Sequence, residues 1–342
     1  MAQNDSSPFR LTVLNPGGRD PEQHFPDGAG EIAQPHQPTN FHGYAACTRG
    51  SFHRETKRAI EEATPVLLLL RGDFTSSERA LAGLQEKGRV VAVSLKETGL
   101  HQIADQLRDP ARLARFLRIV NRADRCIAPT PEAADFYRAV RGRADRVAFI
   151  PTPYPIDDRR WDFSRAIPER SGIFVGTREW NVLSRNHLGA LFVARRLSEQ
   201  TGEPVTVFNF DRRKGARLLD EIGFAPGKLR ILERKLSYAD YLREVAGHKI
   251  VLQLDTSFVP GQVAGDALLC RVPCVGGNGA IDRLAFPETC GLARSVEDLG
   301  KAALRLLTDQ SHYQERVAGM ATAASPRVAF KVIAEELGSF FR

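Results

Sequence analysis

The chain has 342 residues, 42% of them hydrophobic and 26% charged, with only five cysteines. That length suits about two domains. The composition excludes a disordered chain, a collagen-like fibre and a disulfide miniprotein. The formal net charge of +7 points to anionic partners: a nucleotide, a polyanionic acceptor, a membrane surface or nucleic acid. A solvated basic surface is the plain alternative.

No CxxC occurs, and Cys270 and Cys274 have no histidine nearby to complete a zinc site of the usual spacing. The cysteines therefore read as reduced thiols in a cytosolic protein. The N-terminal MAQNDSSPFR has no apolar core, so it does not read as a signal peptide. The longest apolar run, Val66 to Leu70, is too short to span a bilayer.

In chain order, Arg10 to Asn15 reads as a strand closed by Pro16-Gly17-Gly18, and the Gly/Pro/His-rich stretch from Arg19 to His42 as a long loop. Ser51 to Ala63 has helical spacing. Val66 to Leu70 reads as a buried parallel strand, Ser76 to Lys87 as a helix stopped by Gly88, and Arg89 to Leu95 as a second buried strand. Arg125 to Ala128 and Val147 to Pro151 add strands around a helix at Pro131 to Val140. Residues Pro151 to Pro168 hold four prolines and no periodicity, and suit a hinge.

The alternation then restarts. Strands are expected at Gly172 to Gly176, Val205 to Asn209, Leu229 to Leu232, Lys249 to Leu254 and Val272 to Gly276. Helices are expected at Asn186 to Gln200, Lys214 to Ile222, Ser237 to Ala246, Gly265 to Cys270, Val296 to Thr308 and Pro326 to Phe341. Such alternation argues for parallel sheets. The expected division is an N-terminal domain over 1–155, a hinge over 156–168, a second domain over 169–325, and a C-terminal helix over 326–342 that packs back on the first.

Two segments of the second half could carry chemistry. In GIFVGTREWNVLSRNHLGALF a strand ends at Gly176, and a polar turn carries Arg178. A helix begins near Ser184-Arg185-Asn186, with Ser184 as a plausible N-cap. A helix N-terminus after a parallel strand favours phosphate, and two arginines add charge at the same mouth. In KIVLQLDTSFVPGQVAGDALLCRVPCVGG, Gly261 lets backbone amides approach a ligand. Asp266, placed in a first helical turn, could accept ribose hydroxyls or could simply cap the helix.

Together these segments resemble the nucleotide-sugar domain of GT-B glycosyltransferases, specifically the large retaining group, over about Ala123 to Thr308. Gly176-x-Arg178 resembles the family's "GR" after the first strand of the donor domain. Arg185 falls where the family places a diphosphate-binding lysine. Gly261 to Gly276 resembles its glycine loop, donor acidic residue and G-x-P-V strand. The resemblance implies two Rossmann-like parallel-sheet domains facing a cleft. It places a nucleotide-diphosphate sugar on the second domain, as co-substrate with no further cofactor, and an acceptor on the first. It carries the ribose role to Asp266 and brings Gly261, Gln262 and Val263 to the donor phosphates. Two departures stand out: the family's earlier glutamate falls on Phe258, which cannot bind sugar hydroxyls, and Arg271 replaces the usual glycine before Val272-Pro273.

In the first half, three strand ends point to one edge, where open α/β sheets bind ligands. Gly17 and Gly18 resemble the loop that GT-B enzymes aim at the donor. Glu97 and Asp73 are the candidate bases for an acceptor hydroxyl, with His42, His53 and His101 as further candidates. Lys96 could steady the leaving diphosphate, or form a solvated pair with Glu97. No metal is expected, since no DxD triplet lies at a strand end and Asp157-Asp158 sits in the hinge.

Arg108, Arg112, Arg115, Arg118 and Arg122 share one helical arc. That arc suits peripheral contact with an anionic inner-membrane face or a lipid-linked acceptor, or an ordinary solvated face. No aromatic residues interleave the arginines, so nucleic acid ranks lower. Three functional classes compete: a metal-independent hexosyltransferase-type enzyme of glycan or glycoconjugate biosynthesis, a nucleotide-sugar 2-epimerase, and a binding protein that has lost catalysis.

Overall fold

The computed structural model describes residues 9–342. Most of the N-terminal decapeptide read above therefore lies outside the described residues. The chain divides into two compact units, one running to Arg160 and resuming at Arg327, the other spanning Trp161–Pro326.

The first unit contains β1 (Thr12–Leu14), β2 (Gln23–His24), α1 (Asn40–Cys47), β3 (Ser51–His53), α2 (Thr56–Glu61), β4 (Val66–Leu70), α3 (Thr75–Glu86) and β5 (Val91–Leu95). It continues with α4 (Leu100–Leu107), α5 (Pro110–Arg122), β6 (Arg125–Ala128), α6 (Pro131–Arg141) and β7 (Val147–Phe149). Its seven strands run in the order β2-β3-β1-β4-β5-β6-β7. All pair in parallel except β2, which lies antiparallel along β3 at the edge. Every side chain of β4 (VLLLL) is buried, as a central strand covered on both faces requires.

The second unit contains β8 (Ile173–Val175), α7 (His187–Thr201), β9 (Val205–Phe208), α8 (Arg212–Ile222), β10 (Leu229–Leu232), α9 (Tyr238–Ala246) and β11 (Ile250–Leu252). It continues with α10 (Gln262–Leu269), β12 (Cys274–Val275), α11 (Ala280–Ala285) and α12 (Val296–Thr308). After α13 (Gln310–Val328), α14 (Phe330–Phe341) returns to the first unit, where Ile333, Leu337 and Phe341 join a core with Tyr44, Phe52 and Leu67. The five-stranded sheet, β10-β9-β8-β11-β12, is wholly parallel. The expected α/β class with two parallel sheets is what the chain forms.

Several elements differ from the expectation. Ser51 to Ala63 opens as strand β3 before turning helical, because Ser51, Phe52 and His53 are buried in pairing with β1. The Arg19 to His42 stretch holds β2 and the start of α1. The final helical region is two helices, α13 and α14, separated at Ala329. Pro110 and the Asp109 cap, whose side chain accepts from the Arg112 N–H, start α5.

The expected five-arginine row does not lie on one helix: Arg108 ends α4 and pairs with Asp105 at 3.3 Å, because Asp109 and Pro110 start a new helix. On α5, Arg115, Arg118 and Arg122 are turned toward α3. Arg118 Nε donates to Glu78 at 3.0 Å, Arg115 lies 3.3 Å from the same carboxylate, and Arg122 Nε donates to Gln85 Oε1 at 2.8 Å. All five cysteines are free thiols. Among the described residues no helix is long and apolar enough to cross a membrane.

Candidate functional site

In the second unit the winding reverses between β8 and β11. The chain starts at β8, builds β9 and β10 to one side, then crosses to β11 and β12 on the other. Ligands of open α/β sheets bind beyond the carboxyl ends of strands at such a switch point. The residues that follow β8 and β11 are the two segments singled out in the sequence.

Gly176 donates its N–H to Leu252 O at 2.9 Å, and a Cβ there would stand 2.4 Å from Val263 Cγ1. Gly176 is thus the gap into which the first turn of α10 fits. That helix starts at Gln262, earlier than expected, because Gly261 takes a left-handed φ of 92° and turns the chain into it. Asp266 consequently sits in the second turn, not the first, and the simple capping reading is removed. Neither α7 nor α10 has a side-chain cap, and the first-turn N–H groups of a helix favour an anion.

Asp266 is only 2% exposed. Tyr238 Oη donates to its carboxylate, and Tyr241 and Gln262 also hydrogen-bond it. Burial pushes its pKa up to about 7, against the pull of those donors and of the nearby Arg178 charge. Arg178 is half exposed, 3.7 Å from Glu179, with its guanidinium 5.5 Å from the Phe210 ring centre. Arg185 has a different partner, Asp255, itself 4% exposed. Ser184 is not an N-cap. It lies in the 3-10 turn Leu183–Arg185, and Asn186 at φ 46° precedes α7. The loops after β8 and β11 are laced together: Thr256 N donates to Ser184 O at 2.7 Å and Ser257 Oγ to Ser184 Oγ at 3.2 Å.

Beneath the glycines lies a group that sequence reading passed over. Gln253 Nε2 donates to Asp282 Oδ1 at 2.7 Å. A Cβ on Gly261, Gly277 or Gly279 would lie 2.8, 2.4 or 2.6 Å from an Asp282 carboxylate oxygen. Burial, with the charge of Asp255 second, pushes the Asp282 pKa up to about 7. The GGNGAID run was the visible signal, since glycines crowded before one acid mark backbone packed over it. Phe258, in place of the family's earlier acid, has a left-handed φ of 51° and lies under Arg283. Arg271 is also left-handed at φ 52°, which is why glycine suits that place.

In the first unit the chain crosses from β3 over β1 to β4. After β1, Gly17 is left-handed at φ 71°, and a Cβ on Gly18 would lie 2.3 Å from Asn15 Nδ2. Buried Asn15 donates to Asp20 at 3.0 Å, and Lys96 Nζ lies 2.8 Å from the same carboxylate. Lys96 therefore pairs with Asp20, a loop residue missed in the sequence, and not with Glu97. Glu97 is exposed and accepts from Gln102 at 3.2 Å. Asp73 accepts from Thr75 N and Oγ1 at 3.0 and 2.8 Å, which, with Arg115, holds its pKa low.

His42 stacks between His36 and Phe52 at 3.8 and 3.6 Å, and its Nε2 contacts Pro21 O at 2.9 Å. Burial lowers its pKa to about 3, leaving a neutral ring at neutral pH. His101 lies exposed on α4, and His53 faces Glu62.

No protein-family model matches the chain, and no curated protein matches it in sequence. Solved structures do match in fold. Anabaena HepE, solved with UDP and glucose, superposes with a TM-score of 0.61 at 13% identity, covering 97% of this chain and 98% of that one. The UDP-forming α,α-trehalose-phosphate synthase of Burkholderia xenovorans gives 0.60 at 12%, covering 84% and 78%. A Listeria monocytogenes protein assigned as a UDP-N-acetylglucosamine 2-epimerase gives 0.53 at 15%, covering 97% and 95%. The shared architecture is that of the GT-B glycosyltransferases, two Rossmann-like units each built on a parallel sheet.

Proposed function

We propose that the chain is a glycosyltransferase that moves a sugar from a nucleotide-diphosphate sugar to a glycan, lipid-linked or small-molecule acceptor. The observation that carries this reading is the paired opening at the β8/β11 switch point. There, two helices without side-chain caps begin beside Arg178, Arg185 and a buried acid. The similarity to structures holding UDP and UDP-glucose supports a nucleotide there.

In this reading the donor diphosphate lies against Gly261, Gln262 and Val263 at the start of α10. Arg178 and Arg185 offset the negative charge that builds on it as the glycosidic bond breaks. Donors fixed before the reaction favour the transition state over bound substrate, and Asp255 holds the Arg185 guanidinium in place. Asp266 accepts from the ribose hydroxyls in place of the Tyr238 hydroxyl, and its raised pKa makes that exchange sensitive to pH. No metal is required at the diphosphate, because the arginines supply the charge.

On the first unit, the Gly17-Gly18 turn and Lys96 with Asp20 form the edge proposed for an acceptor. Glu97 is the base this reading retains, since Asp73 is already committed to the α3 turn. On α5, Arg115, Arg118 and Arg122 hold Glu78 and Gln85 on α3, which accounts for their alignment without a membrane partner.

The test is to incubate the full chain with a panel of nucleotide sugars and follow release of nucleotide diphosphate. Slow donor hydrolysis, unchanged by added magnesium or manganese, is expected. Interconversion of the sugar without release would favour the epimerase reading, which the likeness to the Listeria protein keeps in play. Binding without turnover would favour the non-catalytic one.

A further inference from the structure

We propose that His24, His53 and Glu62 form a Zn2+ site in the first unit, separate from the β8/β11 switch point. The three side chains come from β2, β3 and the residue that ends α2, and their donor atoms all lie within 4.8 Å of one another. Side chains from an edge strand, its neighbour and the helix covering them converge because His24 pairs directly with Ser51, two residues before His53. Alternate strand positions share a face, so Ser51 and His53 project together toward Glu62.

The spacing is what zinc requires. Zn–N and Zn–O bonds of about 2.0–2.2 Å at tetrahedral angles set donor atoms about 3.3–3.5 Å apart. Glu62 Oε1 lies 3.2 Å from His53 Nε2 and 3.5 Å from His24 Nδ1. The third edge, between the two imidazoles, closes by turning the His24 ring, which is 63% exposed and would exchange its 2.9 Å contact with Ser51 Oγ for the metal. His53, at 2% exposure, is the fixed ligand.

The donor chemistry agrees. Two imidazoles with one carboxylate suit zinc, whereas magnesium and calcium prefer oxygen alone. Among the described residues, the ion-pair partners of Glu62 are these two imidazoles and no lysine or arginine. Its negative charge is therefore available to a cation.

The cluster opens on a cavity of about 130 Å³ lined by His24, Ser51, Glu62, Thr64, Arg10 and Arg49. A water or small anion from this cavity supplies the fourth ligand, and the two arginines favour an anionic one. Bound zinc would fasten the two-residue strand β2, and the loop that follows it, to β3 and α2.

The experiment uses the full-length chain, freed of metal by dialysis against a chelator. Zn2+ is then titrated by calorimetry, and Co2+ by its visible absorption. One zinc per chain is expected, with a rise in melting temperature and cobalt bands of a tetrahedral site. His24→Ala, which alters an exposed ring, and Glu62→Gln should each weaken zinc binding tenfold or more while keeping the metal-free melting temperature. His312→Ala, outside the cluster, should bind as the parent does. A chain that takes up no stoichiometric zinc overturns the proposal, as do His24→Ala and Glu62→Gln variants that keep the parent affinity. Because the readout is metal binding and not sugar transfer, the outcome is independent of the proposed function.

Discussion

Arg185 is ion-paired with Asp255, a carboxylate 4% exposed and seventy positions away in the chain. The pair joins the loop after β8 to the loop after β11, so a residue that the sequence offered for binding also has a structural duty. Arg185→Ala would strand a buried carboxylate without its counter-charge. Losing one partner of a fully buried pair costs about 3–5 kcal/mol. Arg185 is a quarter exposed, so about 2–3 kcal/mol is the expected loss. The plain surface-arginine expectation, that stability is unchanged, does not apply. Thermal melts of Arg185→Ala, Asp255→Ala and the double variant test this. The double variant should recover much of the loss, and strictly additive losses would mean that the two residues do not interact.

Gly176 should tolerate no side chain. Gly176→Ala places a methyl 2.4 Å from Val263 Cγ1 and 3.2 Å from Val251 Cγ1. Overpacking of this kind costs about 1–3 kcal/mol and would push the start of α10 outward. Trimming the neighbour in Gly176→Ala/Val263→Ala should restore part of the melting temperature. A Gly176→Ala protein as stable as the parent would contradict the packing described.

Asp282 makes stability depend on pH in a stated direction. Its pKa is raised from 3.8 to about 7 in the folded chain, so the folded state holds a proton that the unfolded state has released. Its contribution is complete below about pH 4 and is lost as pH rises through about 7. Asp282→Asn cannot ionise. Relative to the parent, the variant should therefore gain stability between pH 5 and pH 8. The buried His187 and His248, lowered to about 4, act in the opposite sense below pH 6.5, so the comparison is made between variant and parent at each pH. A difference that stays constant across that range would refute the assignment.

Asp73 should prove to be a turn residue. Its carboxylate accepts from the Thr75 N–H and hydroxyl in the turn before α3, an Asx-type contact worth about 0.5–1 kcal/mol. Asp73→Ala should lower the melting temperature slightly and leave donor turnover within a few-fold of the parent. Glu97→Gln, by contrast, should reduce transfer to acceptor a hundredfold or more, the scale of a lost general base. If Asp73→Ala abolishes transfer without unfolding, the two roles are exchanged.

The alternation of buried strands and amphipathic helices was legible in the sequence because it is local. VLLLL at Val66–Leu70 reads as a buried parallel strand and is one, covered on both faces, and the helix expected at Val296 to Thr308 forms over those residues. Gly261 was visible as a point where backbone can come close to a ligand, and Gly176 as the end of a strand. Local pattern thus determined the α/β class, most element positions and the two segments at the β8/β11 switch point.

Partnership across the chain belonged to the tertiary structure alone. Ser51 to His53 became a strand because β1 offered ladder hydrogen bonds and burial, against a helical spacing. Lys96 met Asp20 in place of Glu97, and Arg185 met Asp255, because strand order brought distant loops to one sheet edge. Asp266 and Asp282 became acids with raised pKa values only when packing removed their water, and desolvation depends on what surrounds a group in space, not on its neighbours in the chain.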